Sequence, residues 1–241
     1  MSALQLENIN FKYDKKIVLN DVSFKIESGS FFVLLGLNGA GKSTIFSLIT
    51  RLLNIQDGSI IINNHNINNY QKALSDIGVV FQEPTLDLDL TVRQNLYYYG
   101  SIKGISFKQT LASIENELKS IGLEDKLDVI TKDLNGGHRR RVEILRALIN
   151  NPKLLLLDEA TVGLDVESRF DILKYIRKLV KEKGISVLWI THLFDELEKS
   201  DSLAVIKNGS IIENSTVDDV LEKYKCETID EMFHYVTKVK K

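Results

Sequence analysis

Gly36 to Thr44 reads GLNGAGKST, a match to the spacing G-x-x-x-x-G-K-[ST]. A buried-looking strand, FFVLL, precedes it, and a helix-like run, KSTIFSLITRLL, follows. The spacing has a physical reading. Gly36, Gly39 and Gly41 let the backbone curl so that several N–H groups aim at phosphate oxygens, with Leu37, Asn38 and Ala40 completing the turn. The helix that begins at Lys42–Ser43–Thr44 adds its positive end. Lys42 is placed to reach the β- and γ-phosphates of a nucleotide, and the Ser43 hydroxyl to bind Mg²⁺. The plain alternative is a glycine turn that only reverses the chain.

A second candidate is LLLLDEA, Leu154 to Ala160. An apolar strand ends in two carboxylates, which in a parallel sheet face the ligand crevice. Asp158 suits a Mg²⁺ shell, and Glu159 suits polarising the water that attacks a γ-phosphate. An acidic cap or a strand-end ion pair is the structural alternative. Gln82 ends IGVVFQ and His192 ends VLWITH. A glutamine oxygen can ligand Mg²⁺, and an imidazole can donate to a phosphate oxygen. Each residue alone is a weak signal.

The stretch DLNGGHRRRVEILRAL, Asp133 to Leu148, carries a glycine pair before three arginines. Arg139, Arg140 and Arg141 are expected at a helix start, where each opposes the helix dipole by roughly 0.3–1 kcal/mol when exposed. They either offset a bound anion or pair with local carboxylates such as Asp133 or Glu143. A nucleic-acid role is disfavoured, because the net charge is −2 and no second basic run with interleaved aromatics occurs.

These groups need a scaffold. The chain has 241 residues, 44% hydrophobic and 27% charged, which is globular composition with one sizeable core. The single Cys226 excludes a disulfide framework and a cysteine zinc site, and a reducing cytoplasm is expected. No apolar run approaches the roughly 18–20 residues of a spanning helix.

LQLENINFKY and VLNDVSFKI alternate as half-exposed antiparallel strands. GSIIINN and IGVVF read as strands, and NNHNINNY, Asn63 to Tyr70, as a polar loop. Residues 91–150 read as mostly helical, with TVRQNLYYYG and FKQTLASIENELKSIG ending near glycine. Strand and helix then alternate. In VESRFDILKYIRKLVKEKG the residues Val166, Phe170, Leu173 and Val180 fall near one face. SLAVIKNGSIIEN reads as a hairpin about Asn208-Gly209, and two short helices end the chain. The pattern predicts an α/β fold with a mainly parallel sheet.

Phosphate loop, glutamine, glycine pair, strand-end Asp-Glu and histidine, in that order, resemble the nucleotide-binding subunit of an ABC transporter over nearly the whole chain. The resemblance implies a P-loop NTPase core in a single domain spanning residues 1–241. It also implies an N-terminal antiparallel β-subdomain, an inserted helical subdomain at 84–150 and a C-terminal helical extension at 215–241. It implies ATP hydrolysis with Mg²⁺ held by Ser43, Gln82 and Asp158, with Glu159, His192, Gln82 and Lys42 catalytic. Tyr13, in FKYDKK, matches the aromatic that stacks on adenine, with a plain surface aromatic as the alternative. Asp165, in VGLD, matches the loop that reaches across a dimer.

The family signature L-S-G-G-Q reads LNGGH here, so Asn135, Gly136, Gly137 and His138 imply a loop that closes over a second chain's ATP. Asn135 can still cap a helix and His138 can still donate; a degenerate, slower signature is the alternative. DEA stands where D-E-P is common. The implied partners are a homodimer mate or paired ATPase subunit and an integral membrane permease, contacted near QEPTLDLDLTVRQNL. No nucleic acid is implied, and membrane association runs through the permease alone, at the cytoplasmic face of the cell membrane. LDLDLTV and TVGLD resemble type-2 exporters. LNGGHRRRVEI is similar to a bacterial exporter ATPase associated with pyrroloquinoline-quinone-dependent alcohol oxidation. A soluble ABC ATPase of the iron-sulfur-assembly type is the alternative.

Overall fold

The computed structural model describes residues 1–238. In chain order the elements begin with strands β1 (Ser2–Tyr13), β2 (Lys16–Glu27) and β3 (Phe31–Leu35), then helix α1 (Lys42–Ile49). Strands β4 (Asp57–Ile62) and β5 (His65–Asn66), helix α2 (Tyr70–Ala73) and strand β6 (Ile77–Val80) follow. Helices α3 (Val92–Ile102), α4 (Phe107–Ser120) and α5 (Gly136–Leu148) lead to β7 (Leu154–Asp158) and α6 (Val166–Lys183). The chain continues through β8 (Ser186–Thr191), β9 (Ser202–Lys207), β10 (Ser210–Thr216), α7 (Val217–Tyr224) and α8 (Ile229–Lys238).

The chain forms two compact units, one of Met1–Ser75 with the chain from Ser186 onward, the other of Asp76–Ile185. In the first unit β1 pairs antiparallel with β2 and β4, and β4 with β5. The alternation in the sequence is what permits this: along β1, Leu4, Leu6, Ile9 and Phe11 are buried while Glu7 and Lys12 are exposed. Also in this unit, β3 lies parallel between β8 and β9. All five side chains of β3 are buried, and each contributes about 1.5–3 kcal/mol relative to exposure, so the strand ending at the glycine loop has no freedom to slip. β9 and β10 form the expected hairpin, with Asn208 (φ 48°) and Gly209 (φ 80°) both left-handed at its tip.

In the second unit β6 and β7 pair in parallel. Helices α3 and α4 each start with a reciprocal capping box, Thr91 with Gln94 and Ser106 with Gln109. The α/β reading and the antiparallel N-terminal sheet therefore stand.

Three local expectations are corrected. The segment Asn63 to Tyr70 is more than a polar loop. His65 and Asn66 pair with Ile62 and Ile61, and Tyr70 starts a short helix. Buried Ile67 supplies the apolar anchor, a single residue too isolated to produce a readable period.

On α6 the buried face is Ile172, Leu173, Tyr175, Ile176 and Leu179; Val166 and Phe170 are 65% and 58% exposed. Their spacing is helical, but the first turns of α6 project away from the core of their unit.

The third correction concerns the arginines. Helix α5 begins at Gly136, so Arg139 is its fourth residue and Arg140 and Arg141 lie in the second turn. The dipole penalty fades within the first turn and is smaller than the sequence suggested.

Candidate functional site

Strand β3 delivers the chain into the glycine loop. A Cβ at Gly36 would lie 2.7 Å from both the Cγ2 and the carbonyl oxygen of Ile206, so only glycine fits there. Gly41 has φ 116°, and a Cβ there would lie 2.8 Å from Leu19 Cδ2. The Ala40 N–H donates to Leu37 O at 3.1 Å, and Gly209 N–H donates to Ala40 O at 2.9 Å, fixing the loop from inside and outside.

Lys42 is 5% exposed, and its ammonium donates to Gly36 O at 2.7 Å and Leu37 O at 3.3 Å. It is thus folded back over the loop, with carbonyls offsetting part of its desolvation. Helix α1 starts with no side-chain cap and no acidic residue in its first turn. Its N–H groups and dipole favour an anion. Leu37, Asn38, Gly39 and Ser43 are exposed, whereas Ala40 and Thr44 are buried.

Tyr13 ends β1, 47% exposed, with the ring of Phe11 edge-on at 5.0 Å and 79°. Its hairpin partner β2 carries the Leu19 that walls Gly41, so the aromatic and the loop share one local framework. One face of the ring can stack on a planar base.

His192 follows β8 and is half-buried. The turn that presents it is held by Glu196, which the sequence did not single out. Glu196 is 2% exposed and its Oε2 accepts from Trp189 Nε1 at 2.9 Å and Thr191 Oγ1 at 2.5 Å. Thr191 Oγ1 in turn accepts from Leu193 N–H at 3.0 Å. Both neighbours of His192 are therefore pinned. The available signal was Trp189 itself: a buried indole N–H requires an acceptor, and an acid lies seven residues on.

In the second unit β7 ends at Asp158 with Glu159 just beyond, 5% and 6% exposed. Glu159 has φ 47°. A non-glycine residue in this region stores roughly 1–3 kcal/mol and persists only where its surroundings enforce it. Gln82 Nε2 donates to Glu159 Oε2 at 3.1 Å. The amide and the carboxylate predicted to act together are thus in contact, 77 residues apart in sequence. Ala160, where the family commonly has proline, is 1% exposed. The turn is closed instead by Val162 N–H donating to Glu159 O at 3.1 Å.

Asn135 caps α5 by accepting from His138 N–H at 2.8 Å. Burial, aided by the charges of Arg141 and Lys126, pushes the His138 pKa down, so its imidazole is neutral at pH 7 and keeps one donor. Replacing Asn135 by alanine is expected to lower the unfolding free energy by about 1 kcal/mol, and Asn135→Ser to leave it nearly unchanged, as read from urea melts. A full loss with serine as well would show that the amide does more than cap.

Asp165 caps α6 by accepting from Ser168 N–H at 2.9 Å, and that bond holds its carboxyl below the usual range. Two of the three arginines form ion pairs. Arg140 bonds Glu143 at 2.7 Å, one of the local carboxylates the sequence offers, and Arg141 bonds Asp171 at 2.8 Å.

Residues 19–162 match the family model described as ABC transporter. The Nod factor export ATP-binding protein I of Rhizobium johnstonii is 40% identical over 86% of this chain and 67% of its own. The methionine import ATP-binding protein MetN 1 of Staphylococcus epidermidis is 34% identical over 90% of this chain and 67% of its own. A solved ATP-binding subunit of an ABC transporter superposes with TM-score 0.87 at 27% identity, over 98% of this chain and all of that one. The ATP-binding cassette MJ0796, a dimer bound to ADP and phosphate after hydrolysis, superposes with TM-score 0.77 at 27% identity, over 89% and 98% of the two chains.

Proposed function

This chain belongs to the ABC transporter family as an ATP-binding, ATP-hydrolysing subunit, and from that we propose that two such chains pair head to tail around two ATP and drive a separate membrane permease. The supporting observation is the start of α5. Asn135 and Gly136 are exposed, the first turn carries no acid, and the cap bonds only the His138 N–H. Such a terminus is open to a γ-phosphate presented by a second chain.

In the proposed site Lys42 binds the β- and γ-phosphates and Tyr13 stacks on adenine. Ser43, Gln82 and Asp158 offer a hydroxyl, an amide and a carboxylate, a sparse oxygen set that suits Mg²⁺ shared with phosphates. When bound, that ion neutralises charge developing on the β–γ bridge. Glu159 accepts the proton of the water that attacks the γ-phosphorus, releasing ADP and phosphate. His192 donates to a γ-phosphate oxygen. Asn135, Gly136, Gly137 and His138 close the other chain's site, with Asp165 beside them.

The pairing is tested by complementation. A Cβ at Gly137 would run into the Ser168 hydroxyl, whereas one at Gly136 meets only Leu164, at 3.4 Å. Gly136→Asp is therefore the cleaner block. A Lys42→Ala chain mixed with a Gly136→Asp chain should regain one competent site per heterodimer, up to about a quarter of wild-type turnover for random pairing. Well-folded mixtures that stay inactive would sink the shared site.

No helix among the described residues is long and apolar enough to cross a membrane. We place the permease contact at the segment after Gln82, where Leu88, Tyr98 and Ile102 are 42%, 66% and 63% exposed. That partnership places the chain at the cytoplasmic face of the cell membrane. Export is the proposed direction, supported by the 40% identity to a Nod factor export protein. Both relatives carry transport names, which favours a transport role over the iron-sulfur-assembly alternative.

A further inference from the structure

We propose that the buried Arg140–Glu143 pair is a positioning device that fastens Gln82 to helix α5, so that closure of the signature over one ATP sets Gln82 and Glu159 in the other site. This rests on the paired site proposed above.

Arg140 and Glu143 side chains are 8% and 3% exposed. Arg140 Nη1 donates to Phe81 O at 2.7 Å as well as to Glu143, and Nη2 donates to Gln82 O at 2.9 Å. Glu143 Oε1 accepts from Thr85 N–H at 2.7 Å. Arg146, one turn on, donates to Thr85 O at 2.9 Å and to the Thr85 hydroxyl.

Three residues on one face of α5 therefore grip both ends of the 81–85 segment, which has no regular structure and leaves the sheet at Val80. The bonds are mostly to backbone and charge-assisted, hence short and directional. The same helix begins at Gly136, with its signature one turn before Arg140. In this proposal the 13-residue helix, unbroken from Gly136 to Leu148, moves as one rod. A shift at Asn135–His138 must therefore be copied at Gln82, whose amide bonds Glu159. Glu143 takes only part of the Arg140 guanidinium; its remaining contacts fall on the carbonyls of Phe81 and Gln82, which ties that segment to the helix as well as satisfying a buried cation.

The test separates positioning from stability. Breaking a buried pair leaves one uncompensated charge, whereas replacing both partners with apolar residues is often neutral. Arg140→Met should lower both the melting temperature and kcat. Arg140→Met/Glu143→Leu should regain the melting temperature but keep kcat down by about 10- to 100-fold, with ATP affinity unchanged and cooperativity in ATP lost. A double variant of wild-type stability that turns over and cooperates like wild type overturns the proposal.

Amide hydrogen exchange on the wild-type chain supplies an arm free of variants. With Mg-ATP and vanadate, residues 81–85 and 136–140 should gain protection together. Protection of 136–140 without 81–85 overturns the device alone. A wild-type chain that hydrolyses ATP fully as a monomer overturns the paired site beneath it.

Discussion

Replacing Glu159 by glutamine is expected to leave ATP binding intact and to cut turnover by about 10²–10⁴-fold, the usual share of a positioned general base. Glutamine matches the shape of glutamate, and its oxygen still accepts from Gln82 Nε2, the 3.1 Å bond of the native site. The left-handed turn at φ 47° is imposed by the surrounding chain, with Val162 N–H on Glu159 O, so it survives the change. What is lost is the ability to take a proton from water. With nucleotide bound and chemistry stopped, the paired state should accumulate, visible as a dimer by size-exclusion chromatography in Mg-ATP. Steady-state phosphate release together with an ATP-binding titration checks this. Turnover near the wild-type rate would remove Glu159 as the base and would leave its strained backbone without a catalytic explanation.

Lys42→Ala should instead act on binding. Lys42 is buried, and its ammonium is held over the loop by Gly36 O and Leu37 O. Hydrogen bonds to charged groups contribute about 1.5–3 kcal/mol, so losing the contact with the phosphates should weaken ATP binding by roughly 10- to 100-fold. The fold should persist, because Gly36 packs against Ile206 and Gly41 against Leu19, neither of which involves the lysine side chain. Far-UV circular dichroism would confirm that, and isothermal titration would measure the affinity. An unchanged ATP affinity in a folded variant would mean that the phosphates sit elsewhere. The two substitutions thus split cleanly: one binds and does not turn over, the other does not bind.

The readable parts of this chain are those whose physics is local. The glycine loop is legible because flanking strand, spacing and lysine lie within fourteen residues, Phe31 to Thr44. The Asn208-Gly209 hairpin is legible because a type I′ turn demands two left-handed residues, and the sequence supplies both at once. Cap residues behave alike: Asn135 accepts from the N–H three residues on, as Asx chemistry dictates. Where local spacing misled, burial was the missing information. Val166 and Phe170 have helical spacing, yet they are exposed, because helix period fixes which residues share a face and not which face meets the core. The sequence offers the arginines only local carboxylates such as Asp133 or Glu143, whereas the partner of Arg141 is Asp171 on α6, thirty residues away.

The sequence by itself determined the nucleotide loop, the paired strand-end carboxylates, the order of the motifs and the α/β class, since each depends on neighbours along the chain. Tertiary structure alone decided that Gln82 touches Glu159 and that Arg140 holds the Gln82 segment. These are part-buried polar contacts between residues 77 and 58 positions apart. No spacing rule reports them, because a buried charge takes whichever partner folding brings within reach, and only the packed chain fixes which one that is.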